Sequence, residues 1–283
     1  MTRFIYLLIC MLGFAKPIHA QSYRLAEFQG ISMESMRYFT LLANATLSPM
    51  DKAVLTTPMS PERMMLETSK PNGLSQFMIW SCSLNTMALI GLKRIDIPLD
   101  RGMSGYWVLA ANKARQADLA KVNSIAQLKN WRLSTGFPQN NPNPLFGELQ
   151  LSYAPTVQHA LEMTAKGRLD GVLLQARMAE SLRTRLPVGV ELDQRLMISR
   201  HTALCFYVQQ SELKLIDKLQ NGLDRIIKNG IALRLSEQEG LTQAIKSLAL
   251  DKRQNITTQA TPNWNGDASR KKYPGWLLNV GQQ

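Results

Sequence analysis

The chain has 283 residues, enough for one large or two modest domains, and 45% of them are hydrophobic, which supports a buried core. Its formal charge of +12 comes from 33 basic and 21 acidic residues that are scattered along the sequence. Nucleic-acid binding requires basic residues clustered on one face, so the charge predicts a solvated basic surface and argues against a nucleic-acid partner.

Residues 1–20 have the pattern of a secretory signal. Arg3 is followed by an apolar run at 4–14 and by the small residue Ala20, after which we expect cleavage. An uncleaved anchor is the alternative. Cleavage would lower the formal charge to +10 and leave Cys82 and Cys205 as the two cysteines, which could pair in an oxidising compartment or stay buried as thiols.

The first part of the chain alternates predicted strands and helices. Strands are expected at 23–28 and 52–57, and helices at 33–43 and at 60–69, where Ser60 caps and Pro61 begins the helix. A buried strand at 74–82 ends at the polar residues Ser81-Cys82-Ser83. Ligands bind at strand ends in open α/β sheets, so this end is a candidate site.

Residues 94–113 predict a strand, a turn and a second strand. Ile95, Ile97 and Leu99 alternate with polar residues, and glycines then precede the apolar run at 106–111. This pattern fits a crossing between two lobes and equally fits an ordinary core strand.

A capping box at Ser124–Gln127 predicts a short helix, followed by a strand at 131–135. The loop at 136–144 contains three prolines, which exclude regular structure. It is either a surface excursion or a ligand-facing loop.

The second half predicts helices at 156–168 and 176–185 and strands at 169–174 and 202–208. A long amphipathic helix, capped by Ser211 and ended by Gly230, should pack on the first lobe. Beyond about residue 250 the composition becomes polar and irregular. This predicts a partly ordered tail, although its aromatic and basic residues could instead dock on a membrane or a partner.

Three segments resemble the type 2 periplasmic solute-binding proteins, the family that includes the extracellular amino-acid-binding proteins of uptake systems. They are IDIPLDRGMSGYWVLAANK, ALEMTAKGRLDGVLLQ, and TALCFYV with its helix LIDKLQNGLDRIIKNG. The resemblance covers about 33–239.

The resemblance implies an α/β protein with two lobes joined by two hinge crossings, near 104–110 and 202–208. Lobe 1 would be discontinuous, comprising 21–105 and 206–250. Lobe 2 would be 106–205, and 251–283 would form the C-terminal tail.

The sequence departs from the family at both charged ligand anchors. Family members hold the ligand carboxylate with an arginine shortly after the Ser/Thr-rich strand end, yet no arginine lies between Thr86 and Arg94. The acid that accepts the ligand's ammonium group, five residues beyond Asp170, is replaced by Gln175, and Asp170 itself is expected to cap or brace its turn. The remaining cleft candidates favour a neutral or aromatic ligand, or an anion held by backbone amides; they are Trp80, Ser81, Ser83, Tyr106, Thr135, Gly136, Gln139 and Gln175.

The sequence therefore predicts a periplasmic solute-binding protein that binds a small polar or aromatic metabolite for uptake or sensing. We expect a monomer without a cofactor, a metal or a catalytic constellation, whose partner would be an inner-membrane transporter or sensor. Two alternatives stay open: a lyase-like periplasmic enzyme on the same scaffold, and a degenerate lobe pair kept as an interaction module.

Overall fold

The computed structural model describes residues 20–28, 33–83, 90–136, 146, 149–257 and 266–280. The strands in this part are β1 (Ser22–Leu25), β2 (Lys52–Leu55), β3 (Phe77–Ser81), β4 (Leu92–Arg94), β5 (Tyr106–Asn112), β6 (Leu133–Ser134), β7 (Gly171–Gln175), β8 (Val190–Leu192), β9 (Leu196–Ser199), β10 (Leu204–Gln209) and β11 (Gln254–Thr257). The α-helices are α1 (Met33–Thr46), α2 (Pro61–Ser69), α3 (Gln116–Leu119), α4 (Val157–Ala165), α5 (Ala176–Leu182), α6 (Leu213–Lys228), α7 (Ile231–Gln238), α8 (Gln243–Ser247) and α9 (Gly266–Lys272). Short 3-10 helices lie at Met103–Gly105, Lys113–Arg115, Ile125–Leu128 and Leu250–Lys252.

The strands form two separate sheets. The first has the order β2-β1-β3-β10-β4, with β1 parallel to β2 and β3, and β10 antiparallel to β3 and β4. The second has the order β11-β9-β5-β7-β6, and β8 also pairs with β5. Within it β5 is antiparallel to β7 and β9, whereas β6 runs parallel to β7 and β11 parallel to β9. The predicted α/β fold with two sheets and hinge crossings is confirmed.

Two short segments carry the chain between the sheets. Residues 95–105 lead from β4 to β5, and residues 200–203 return from β9 to β10. The strand at 204–209 thus belongs to the first sheet, and the second crossing is the four residues before it. The predicted lobe boundaries at 105/106 and 205/206 stay predictions.

The buried carboxylate of Asp100 links the first crossing to the start of β10, directly after the second crossing. Its Oδ1 accepts hydrogen bonds from the backbone N–H groups of Gly102 at 3.2 Å and Leu204 at 3.0 Å, and its Oδ2 accepts from Ser104 at 2.8 Å. Burial raises the pKa of Asp100, and these donors only partly offset the effect. One side chain therefore fixes the first crossing to the residue at which β10 begins.

Cys82 and Cys205 form a disulfide between the end of β3 and the start of β10. The two strands are already neighbours in the first sheet, because Cys205 lies opposite Trp80 and the Cys82 N–H donates to the Ala203 carbonyl at 2.8 Å. The choice between paired and free thiols is thus resolved in favour of the disulfide.

The long helix α6 packs against α1 beside the first sheet, as the apolar stripe predicts. Leu219, Leu223 and Ile226 are fully buried. At Gly222 the two helices approach so closely that a Cβ atom would lie 1.9 Å from the carbonyl oxygen of Thr46. A glycine is required here because no side chain fits between the helices.

Local capping signals were mostly correct. Ser60 caps α2, and both hydrogen bonds of the capping box between Ser124 and Gln127 are present, although the helix that follows is a 3-10 helix. Ser211 does not cap α6; its hydroxyl and N–H both donate to the side chain of Gln209, and Glu212 occupies the N-cap position.

In the predicted C-terminal tail at 251–283, the described residues 251–257 and 266–280 include β11 and α9 and pack against the rest of the protein. β11 extends the second sheet beside β9, and α8, which precedes it, contacts α5. The side chains of Ile256, Tyr273 and Trp276 are buried. A few well-spaced apolar residues anchor this otherwise polar segment: β11 belongs to the second sheet, and the Tyr273 hydroxyl donates to Asp224 on α6.

Candidate functional site

The carboxyl ends of the strands in both sheets face the crossings. In the first sheet β3 ends at Ser81, opposite Leu204 at the start of β10. In the second sheet β7 ends at Gln175 opposite Trp107, and β9 ends at Ser199 opposite Tyr106. The two edges are linked directly by residues 200–203, so the junction between them is the candidate site.

The hydroxyl groups of Ser81 and Ser83 meet the second crossing. The Ser81 Oγ lies 3.0 Å from Thr202 Oγ1, and the Ser83 hydroxyl donates to the same atom at 2.9 Å. The Ser83 N–H also donates to Ser81 Oγ at 3.3 Å. These two predicted site residues are therefore brought together, and their hydroxyls tie the strand end to the hinge.

Trp80 presents an unused donor at the same strand end. Its ring is partly buried and meets the Phe28 ring edge-on, with centroids 5.9 Å apart. Its Nε1 is buried and donates to no acceptor in the part of the chain that is described. Indole N–H groups usually find a partner when buried, which makes this donor a candidate for a ligand contact.

Tyr106, in contrast, is engaged by the C-terminal segment. Its hydroxyl donates to the Leu278 carbonyl and accepts from the Val280 N–H, both at 3.3 Å. Burial raises the pKa of the phenol. This predicted site residue therefore connects the first crossing to the C-terminal segment.

Of the other candidates, Thr135 is buried just after β6. Gly136 has a φ of +68°, and a Cβ there would lie 2.3 Å from the Cα of Val157 at the start of α4, so a glycine is needed. Gln175 is partly buried at the end of β7. Gln139 and the rest of the Pro/Asn loop after Gly136 lie outside the described residues.

Asp170 braces its turn, as expected. Its Oδ2 accepts from the Arg132 backbone N–H at 2.8 Å, and its Oδ1 accepts from Arg132 Nη2 at 3.0 Å. Arg115 Nε lies 3.5 Å from the same carboxylate. The carboxylate is thus committed to the structure of the second sheet.

Arg200 is a candidate that the sequence analysis missed. It follows β9 directly, its N–H donates to the Gly105 carbonyl at 2.9 Å, and its side chain lies 5.4 Å from the centroid of the Phe146 ring. None of its three guanidinium nitrogens has a hydrogen-bond partner in the described structure. Burial lowers the pKa of Arg200 to about 10. The signal available in the sequence was its position just before the predicted strand at 202–208.

A cavity of about 30 Å³ lies between the crossings and the C-terminal segment. Its lining includes Tyr106, Arg200, Thr202, Asn255 and Leu278. Sites for small molecules usually measure about 300–1,000 Å³, so this cavity is too small for a metabolite. A ligand between the sheet edges would require the hinge to open.

The described ranges contain no group of three or more His, Cys, Asp or Glu side chains arranged to hold a metal ion. In the same ranges, no helix combines the length and the apolar character needed to cross a membrane.

No family model matches the sequence, and no curated protein matches it. Solved structures do match. An ancestral arginine-binding protein bound to arginine has a TM-score of 0.57 at 11% identity over 77% of this chain and 97% of its own. A putative binding component of an ABC transporter from Wolinella succinogenes, complexed with lysine, has a TM-score of 0.56 at 14% identity over 77% and 94%.

A third similar structure is an ancestral amino-acid-binding protein described as a precursor of cyclohexadienyl dehydratase. Its TM-score is 0.54 at 12% identity, over 77% of this chain and 94% of that one. The chain therefore has the two-lobed fold of the type 2 periplasmic amino-acid-binding proteins, and the resemblance seen in the sequence is confirmed at the level of fold.

Proposed function

We propose that this protein is an exported solute-binding protein that holds a small metabolite between its two lobes and closes on it by hinge motion. The observation that carries the proposal is the meeting of the carboxyl-end edges of two sheets at short crossings. Trp80 Nε1 and the guanidinium of Arg200, both buried and unpartnered among described residues, lie at these edges. Unused polar groups at such a junction are the usual means of orienting a ligand.

The ligand would contact residues from both edges. Trp80 and Gln175 offer a donor and an amide from the first and second sheets, while Ser81 and Ser83 support the hinge side of the site through Thr202. Tyr106 and Thr135 are buried, so they would support the site from the protein interior. Gly136 would allow the chain to pass α4.

The proposed export is inferred from the secretory signal at 1–20, and the proposed partner is inferred from the fold. The apolar run at 4–14 predicts secretion, which would place the mature chain in the periplasm. One structure with this fold is a putative ABC transporter binding component. We therefore propose an inner-membrane transporter or sensor as the partner of a monomeric, non-catalytic binding protein.

Binding and closure test this function. The purified protein would be screened against small metabolites by thermal shift and calorimetry, and hits would be examined by small-angle scattering. We expect at least one ligand that raises the melting temperature and lowers the radius of gyration. The absence of any binder at millimolar concentration would contradict the proposal.

A matched pair of variants locates the site. Trp80→Phe removes the Nε1 donor while keeping a ring, so it should weaken binding of a confirmed ligand about tenfold, the loss expected for one hydrogen bond. Trp131→Phe makes the same change in the core of the second sheet and should leave the affinity unchanged. Equal affinities for both variants would exclude Trp80 from the site.

A lyase-like enzyme is the second candidate, because one similar structure is described as a dehydratase precursor. It predicts that a bound metabolite is converted to product at a rate that depends on a carboxylate near the sheet edges. Recovery of the ligand unchanged after prolonged incubation would exclude it for that ligand.

A further inference from the structure

Two arginines in the second sheet are equally buried but differ completely in their contacts. Arg253 is 5% exposed and Arg200 is 6% exposed. Arg253 Nε donates to the Leu248 carbonyl at 2.8 Å, and its Nη1 donates to the carbonyls of Asp193 and Leu196. Arg200 donates to no described acceptor through any of its three nitrogens. The contrast shows that this fold satisfies a buried arginine where the arginine is structural.

An unpaired buried guanidinium is unfavourable for the folded state. An arginine cannot escape the cost by losing its proton, since even with its pKa lowered to about 10 it remains charged at neutral pH. Arg200 and Asn255 Oδ1, which is likewise unpartnered among the described residues, line the same small cavity, which has room for a water molecule. A neutral water would leave the charge uncompensated, whereas an anion that reaches the guanidinium would compensate it.

The surroundings of Arg200 define the shape of that anion. The ring of Phe146 lies against the guanidinium, and Phe146 itself meets Trp107 edge-on with centroids 5.0 Å apart. A contact of the guanidinium carbon with an aromatic ring uses none of the N–H donors, so a planar acceptor can pair with two of them. One guanidinium balances a single negative charge, which matches a carboxylate better than a phosphate dianion.

We propose that Arg200 is the anion receptor of the inter-lobe site and that the solute carries a carboxylate bound in a bidentate pair with its guanidinium. The proposal rests on the function proposed above and narrows its ligand class. It places the charged anchor on the hinge at the end of β9, away from the segment after β3 where family members carry their arginine. Phe146 and Trp107 would provide an apolar wall for the part of the solute next to the carboxylate.

The first test is the stability of two variants without ligand. Arg200→Met removes a charge that has no partner, so it should leave the melting temperature unchanged or raise it. Arg253→Met makes the same substitution at equal burial but removes three hydrogen bonds to carbonyls, and it should lower the melting temperature clearly. If Arg200→Met destabilises as much as Arg253→Met, Arg200 is structural and the proposal is overturned.

The second test is binding to matched probes. The purified wild-type protein would be titrated with benzoate and benzamide, with acetate and acetamide, and with inorganic phosphate. We expect the carboxylate of at least one pair to bind more tightly than its neutral amide, and Arg200→Met to weaken that binding about 30-fold or more. Phosphate should bind more weakly than that carboxylate.

The outcomes separate this proposal from the function on which it rests. If a neutral amide binds as tightly as its carboxylate, or if Arg200→Met binds the carboxylate as the wild type does, the receptor is disproved while the binding function stands. Phosphate as the tightest probe overturns the carboxylate assignment. If neither these probes nor the metabolite screen yields any binder, both proposals fail together.

Discussion

Replacing Asp100 with alanine removes the side chain that links the first crossing to the start of β10. Three backbone N–H groups, those of Gly102, Ser104 and Leu204, would lose their acceptor inside the protein. A buried donor without an acceptor costs about 1–3 kcal/mol, and relief from burying a carboxylate offsets part of the sum. We expect the free energy of unfolding to fall by about 3 kcal/mol, which corresponds to a melting temperature about 6–12 °C lower.

Asparagine at the same position gives a graded control. Its single oxygen can replace Oδ1, which accepts from both Gly102 and Leu204, but its amide nitrogen would face the N–H of Ser104. Asp100→Asn should therefore cost about 1–2 kcal/mol. Asp96→Asn changes an exposed carboxylate in the same crossing and should have little effect. Urea titration followed by tryptophan fluorescence would rank the three, and an Asp100→Ala loss no larger than that of Asp96→Asn would refute the reasoning.

The same site predicts a pH dependence. Burial raises the pKa of Asp100 above its ordinary value of 3.8, so the folded state binds this proton more tightly than the unfolded state does. Stability falls with pH wherever the folded state binds more protons. The unfolding free energy of the wild type, measured relative to Asp100→Asn, should decrease as the pH rises above about 4, and a constant difference would contradict the raised pKa.

Two further substitutions test the first sheet and its helices. The double variant Cys82→Ala/Cys205→Ala opens a loop of 123 residues and should lower the free energy of unfolding by about 2–5 kcal/mol. Reduction of the wild type should have the same effect, measured by urea titration with and without reductant. An unchanged titration midpoint in both cases would contradict it. Gly222→Ala forces α6 away from Thr46 and should lower the free energy of unfolding by about 1–3 kcal/mol. The control Asn221→Ala, on the exposed side of the same helix, should be neutral or slightly stabilising. Equal effects of the two substitutions would refute the close approach of the helices.

The regular elements near the hinge were predictable because their signals are local. The apolar strand at 74–82 and the stripe of α6 each follow from side-chain period, and the structure contains both. The alternation at 95–99 predicted a strand wrongly, because β4 ends at Arg94; its apolar side chains are buried in the irregular first crossing instead. The pairing of Cys82 with Cys205 was not predictable, since the residues lie far apart in sequence and meet only because β3 and β10 become neighbours. The sequences of two such strands do not indicate that they will become neighbours in the sheet.

Arg200 and the C-terminal segment were missed for opposite reasons. Charged residues are almost never buried unpaired, so the sequence predicts that a basic residue before an apolar strand lies on the solvated surface, whereas Arg200 is buried. In the C-terminal segment the average composition is polar, yet Tyr273 and Trp276 are buried. A few side chains at the right spacing fixed the segment, and composition averaged over a window conceals them.

The C-terminal segment changes what hinge motion is possible. β11 belongs to the second sheet, whereas the hydroxyl of Tyr273 pairs with Asp224 on α6 at 2.9 Å, and Trp276 Nε1 donates to the carbonyl of Pro98 in the first crossing at 2.8 Å. A segment bonded to both lobes and to a crossing must bend with them or release these bonds when the cleft opens.

Opening the cleft would therefore cost free energy, because these hydrogen bonds of the C-terminal segment would have to bend or break. Closing the cleft would restore them. The charge of Arg200 would instead disfavour the closed form, because closing without an anion leaves an unpaired guanidinium buried. A carboxylate would remove that penalty and tip the balance toward the closed form, since a ligand shifts a conformational equilibrium by its differential affinity for the two states. In the proposed mechanism, the C-terminal segment would limit how far the lobes separate, and Arg200 would select the solute that brings them together.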